Sequence, residues 1–92
     1  MLINFRDSHA YPGCGVRIDT LPETGEQLPV TVEFSDGTRA TAQCAIGNAD
    51  EIKVWIDGYT TISGNTVKPR AWQIKREPGA PIWKVTARIG AM

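Results

Sequence analysis

Apolar and polar residues alternate with period two over much of this chain, most clearly where Leu28, Val30, Val32 and Phe34 share one parity around Thr31 and Glu33. Asp36-Gly37 follows, a pair that tolerates positive φ. Beyond it Ala40, Ala42, Cys44 and Ile46 share a parity, while Arg39, Thr41 and Gln43 face the other way. The pattern predicts a β-hairpin with one buried face on each strand. Ile52, Val54 and Ile56 repeat it against Lys53, Trp55 and Asp57, and Asp57-Gly58 predicts a second hairpin turn, with Tyr59 to Ile62 as the returning strand.

Ser63-Gly64-Asn65 reads as a further turn, followed by Thr66 to Lys68, a Pro69 suited to a sheet edge or bulge, and a strand from Ala71 to Arg76. Pro78, Gly79 and Pro81 make Glu77 to Pro81 a loop. Trp83, Val85, Ala87 and Ile89 then alternate with Lys84, Thr86 and Arg88 as a last half-exposed strand. Toward the front, Leu2 to Phe5 and Cys14 to Ile18 predict short strands, with Thr20 to Gln27 as a loop. No window carries three turns of helical periodicity, so at most a short helix is expected, near Thr20 to Gln27 or Asn48 to Glu51. The reading is mainly β: six to eight short strands in a small antiparallel sheet, a sandwich or a partly open barrel.

Length and composition narrow this to one domain over residues 1–92. A chain of this size buries roughly 60% of its unfolded surface, enough for one modest core. Hydrophobic residues at 41% and charged residues at 22% are ordinary for a globular protein. Arg6, Asp7, Ser8 and His9 interrupt the apolar start a secretory leader would need, and nothing approaches a membrane span, so a cytoplasmic location is expected. Cys14 and Cys44 lack metal-ligand spacing and are expected to be reduced, a single disulfide being the alternative.

Catalytic equipment is sparse. The one histidine, His9, stands beside Ser8, but sequence neighbours on an extended chain point apart and make no dyad, so His9 reads as a solvated loop residue. The carboxylate pairs Asp50-Glu51 and Glu23/Glu26 sit in turn-like stretches where acids ordinarily solvate a surface. The glycines punctuate turns and form no phosphate-cradling loop ahead of a helix. The expectation is a non-enzymatic binding protein without cofactor, metal or small-molecule substrate.

Net charge is zero, but it is unevenly distributed. Residues 1–57 carry four cations against nine acids; residues 58–92 carry six cations against Glu77 alone. Lys68, Arg70, Lys75, Arg76, Lys84 and Arg88, interleaved with Tyr59, Trp72 and Trp83, suit a nucleic-acid backbone or an acidic protein face. If the Ala71 to Arg76 and Ile82 to Ile89 strands pair, Lys84 and Arg88 share a face. Equally, these charges could merely solvate a sheet whose core holds Trp72 and Trp83. Trp55 shares the outward parity of Lys53 and Asp57, the position of an interface anchor, unless both faces of its strand are covered.

The short length, the lack of catalytic residues and the segregation of Lys68, Arg70, Lys75, Arg76, Lys84 and Arg88 from an acidic front resemble the small phage-encoded anti-CRISPR proteins, in type and without a diagnostic motif. The resemblance implies an inhibitor in the bacterial host cytoplasm of a multi-subunit CRISPR surveillance complex, such as type I-F. It would dock on Cas subunits, with guide RNA as a further contact, and occlude target DNA. Neutral charge departs from those relatives in type that are acidic DNA mimics and points to contact through the basic hairpin. The alternatives are a stand-alone nucleic-acid-binding β-barrel domain, in which Tyr59, Trp72 or Trp83 stacks bases, and a structural subunit of a phage particle.

Overall fold

The alternating segments become strands because each presents one apolar face that only a shared interior can cover. The computed structural model describes residues 1–7, 9–21, 25 and 27–90. Among these the elements are all strands: β1 (Leu2–Phe5), β2 (Gly15–Ile18), β3 (Gln27–Phe34), β4 (Arg39–Asn48), β5 (Glu51–Ile56), β6 (Tyr59–Thr60), β7 (Thr66–Val67), β8 (Arg70–Lys75) and β9 (Trp83–Gly90). Seven close into a barrel in the order β1-β2-β9-β8-β5-β4-β3, and β6 and β7 form a separate two-stranded sheet.

Every neighbouring pair in the barrel is antiparallel except one. β1 lies parallel to β3, with Ile3 opposite Val32 and Phe5 opposite Phe34, and antiparallel to β2 on its other side. The Leu2–Phe5 segment therefore closes the barrel by filling the gap between β2 and β3, a parallel pairing that hairpin reasoning does not anticipate.

Asp36-Gly37 makes the expected hairpin turn between β3 and β4. Gly37 has φ 91°, which glycine adopts freely, and Asp36 Oδ1 accepts a hydrogen bond from the Thr38 backbone N–H at 2.8 Å. Asp57-Gly58 does not make the second hairpin. Gly58, at φ 143°, turns the chain out of the barrel into β6, which pairs with β7, while β5 pairs with β8 beyond the excursion. Tyr59 to Ile62 is correspondingly short as a strand, because Thr61 and Ile62 enter the turn that ends at Asn65.

The interior holds Ile3, Phe5, Val32, Phe34, Cys44, Ile52, Val54, Ile56, Trp72, Ile74 and Val85, all essentially sealed from solvent. Each large apolar side chain contributes about 1.5–3 kcal/mol. Phe5 stacks on Phe34 at 5.4 Å between ring centroids, and Trp72 leans against both. The expected core of β9 fails at its end, where Ile89 is exposed. Register shifts between β8 and β9 break the simple alternation there. Cys14 and Cys44 are both buried and unbridged.

Candidate functional site

β8 and β9 pair as the sequence suggests. Trp72 and Ile74 take the inward parity, leaving Ala71, Gln73 and Lys75 on the outer side, while Lys84, Thr86 and Arg88 are exposed on β9. Lys75 and Lys84 stand directly opposite one another in the ladder. Arg88 lies four residues along β9 from Lys84, roughly 13 Å at the rise of a strand. Neither Lys84 nor Arg88 forms an ion pair with any described residue.

The remaining basic residues separate into different roles. Arg76 is fixed in the scaffold: its Nε donates to Asp50 Oδ1 at 2.8 Å, its Nη2 donates to the Ala49 carbonyl at 3.0 Å, and its guanidinium lies 4.5 Å over the Trp83 ring. Lys75 Nζ lies 3.7 Å from Glu51 Oε2. Arg70 pairs in register with Ile56, a core residue, so it belongs to the inward parity at one end of the barrel, and its Nε is buried without a hydrogen-bond partner among the described residues. Lys68 is exposed on the excursion that carries β7. The structure thus brings Lys75, Arg76 and Lys84 together and places Lys68 and Arg70 elsewhere. Contrary to the expectation from simple alternation, Arg88 does not share the face of Lys84, because the register shift between Gln73 and Ile74 sets it opposite the inward Trp72, exposed near the end of β9.

The sequence's electrical polarity is diluted by the same pairing. β5 runs beside β8, so Asp50 and Glu51 from the acidic half meet Arg76 and Lys75. Such half-exposed pairs contribute about 0–1 kcal/mol each. Trp55 is half-buried on β5, between Gln43 and Ala71 in the ladders, on the outer parity with exposed Lys53. Trp72 and Trp83 are buried and offer no free ring face of the kind a base-stacking role requires, and the half-buried Tyr59 is stacked at 5.0 Å on Phe34. Lys53, whose parity with Trp55 was visible, and Ile82, exposed just ahead of β9, join the outer surface without having been singled out from sequence.

His9 is not a solvated loop residue. Its ring stacks on Phe34 at 4.8 Å, Nε2 lies 2.8 Å from Asp36 Oδ2, and Nδ1 lies 3.5 Å from the Tyr59 hydroxyl. A carboxylate only accepts, so Nε2 carries the proton and a neutral ring leaves Nδ1 to accept from Tyr59. Burial pushes the Tyr59 phenol up to about 12, which opposes formation of a phenolate nucleophile. The cluster ties the β1–β2 connection, the β3–β4 turn and the excursion together over one end of the core. Ser8, Glu23 and Glu26 lie outside the described residues. Among those described, no group of three potential ligands is placed to hold a metal ion, and no helix is long and apolar enough to cross a membrane.

Fold and surface together define an all-β protein: a closed seven-stranded mixed barrel with a two-stranded excursion and a cationic outer face on β8 and β9. Compared with protein-family models, curated proteins and solved structures, the chain has no significant match.

Proposed function

We propose that this domain is a non-catalytic binding module that docks through the outer face of β8 and β9 on a ribonucleoprotein, as an inhibitor of a CRISPR surveillance complex would. The observation that carries the reading is the Lys75–Lys84 pair. Like charges directly opposite across a ladder are destabilising by roughly 0.2–1 kcal/mol, and Glu51 offsets only the Lys75 side, at 3.7 Å. A local conflict of this kind is expected where a surface serves a partner rather than the fold. Negative charge on the partner would relieve it. The further step to Cas subunits with guide RNA, and to occlusion of target DNA, follows the resemblance to anti-CRISPR proteins.

The test uses a purified type I-F surveillance complex with its guide RNA and a labelled target duplex in a gel-shift assay. The wild-type protein should block duplex binding. The double variant Lys84→Glu/Arg88→Glu should weaken that block by at least about tenfold, roughly 1.4 kcal/mol, with an unchanged melting temperature. Full activity in the double variant removes β9 from the site, and an inert wild type removes this inhibitor reading.

A second reading rests on Trp55 and Lys53, a half-buried ring beside an exposed ammonium that forms no ion pair with a described residue, on the same outer sheet. It makes the domain a binder of free single strands. Binding to an isolated oligonucleotide that falls steeply as salt rises would favour it over the first.

A further inference from the structure

Ile82 is 62% exposed, while the next residue, Trp83, is buried. Grooves flank it on both sides. One, of about 420 Å³, is lined by Lys75, Arg76, Ala80, Lys84 and Thr86, with Glu77 as its only carboxylate among the described residues. The other, of about 470 Å³, runs across the junction of β2 and β9 and is lined by Arg6, Gly15, Arg17 and Pro81, with Val16 and Ile18. Ile82 is common to both.

This surface gathers cations from separate parts of the chain. Arg6 follows β1 and Arg17 lies on β2, both exposed and both from the half of the sequence that is acidic overall. Gly15 pairs with Lys84 in the β2–β9 ladder, so the β2 and β9 sides meet directly beneath the grooves. Arg6, Arg17 and Lys84 take part in no ion pair with a described residue.

The chemistry at the centre selects among anionic partners. An aliphatic side chain has no ring face on which a base could stack, and covering it is favourable only when the covering group is apolar. An apolar centre within a polar, charged rim is the anatomy of a protein–protein interface. Arginine forks, moreover, fit carboxylates bidentately.

We infer that the face centred on Ile82 receives an acidic protein segment carrying a bulky apolar side chain. That side chain covers Ile82 between Ala80 and Pro81, and carboxylates meet Lys75 and Lys84 on one side and Arg6 and Arg17 on the other. The inference builds on the docking role given to β8 and β9 and extends the surface across to β2.

The experiment measures fluorescence anisotropy with three labelled probes of about the same length: a Glu/Asp-rich peptide with a central Leu-Phe pair, the same peptide with Ser-Ser at the centre, and a thymidine oligonucleotide. The Leu-Phe peptide should bind roughly tenfold more tightly than the Ser-Ser peptide, and more tightly than the oligonucleotide. Ile82→Ser should abolish the difference between the peptides, and Arg6→Gln/Arg17→Gln should weaken both by a similar factor. All three positions are exposed, and melting curves verify that the variants fold. Equal affinity for the two peptides, an oligonucleotide that binds as tightly as the better peptide, no binding of either peptide, or an unaltered Ile82→Ser variant would each overturn it. A surveillance complex that is not bound, alongside peptides that behave as expected, would remove the CRISPR assignment and leave this interface standing.

Discussion

Asp19 and Asp36 hold backbone as well as charge. Asp19 accepts from the Leu2 N–H at 2.7 Å and Asp36 from the Thr38 N–H at 2.8 Å, and these bonds hold both carboxyls below the usual carboxylate range. A carboxyl depressed in the folded state contributes stability above its unfolded value of about 3.9 and loses it as pH falls through the folded value. Melting temperature should therefore fall on acidification below about pH 4, and Asp19→Asn/Asp36→Asn should flatten that limb; scanning calorimetry from neutral to acid pH reads the slope. At the other extreme, burial pushes the Cys44 thiol up to about 11. Its contribution is complete below about 9 and is lost as pH climbs toward the folded value. Native Cys44 should accordingly resist iodoacetamide near pH 8 and react only after unfolding, which mass spectrometry resolves. Val32→Asp places an unpaired carboxylate at a fully buried position and should unfold the domain, since the penalty is several kcal/mol against a total of about 5–15. The burial of Val32 was legible because alternation exposes it. The setting of His9 was not: its partners Phe34, Asp36 and Tyr59 lie far along the chain, and only the barrel assembles them.

Segments with two-residue alternation appear as strands at nearly the residues expected, because one apolar face per strand leaves a single workable register. Turns were less transparent. Asp36-Gly37 and Asp57-Gly58 offer the same local chemistry, yet one closes a hairpin and the other leaves the barrel, since β8 competes successfully for the edge of β5. Replacing residues 57–69 with Asn-Gly would join Ile56 to Arg70, already opposite each other, through a two-residue turn. The shortened chain should keep its β circular dichroism and melt several degrees lower, because Tyr59 no longer covers Phe34, a ring contact of about 0.5–1.5 kcal/mol. An unfolded product would mean that the excursion helps to form the barrel rather than cover its end. Of the candidate site, parity gave the outward Lys75, Lys84 and Trp55. Arg70 was misleading because its parity is that of Trp72 and Ile74, and Arg76 because its neutralising partner, Asp50, comes from the distant turn between β4 and β5.

At the scale of the whole molecule, the strands of the acidic half form one continuous arc of the barrel, β5-β4-β3-β1-β2, and β8 and β9 form the other, so that the two halves meet only along the β5–β8 and β2–β9 seams. No one-dimensional pattern encodes that order. Strand pairing depends on which edges meet, and the parallel β1–β3 contact has no turn residue to announce it. Deleting residues 1–5 should remove the strand that joins β2 to β3 and expose two unpaired edges, giving loss of cooperative melting or aggregation in sedimentation.

The seam between β2 and β9 has the shortest ladder of the barrel, with only Gly15↔Lys84 and Val16↔Trp83 in register, and it joins the beginning of the chain to its end. A cylinder with one short seam breathes there first. Amides of Val16 and Trp83 should exchange with deuterium ahead of those in the β3–β4 hairpin. A partner gripping Arg6 and Arg17 on one lip and Lys84 on the other would act as a suture, slowing exchange along the seam beneath it.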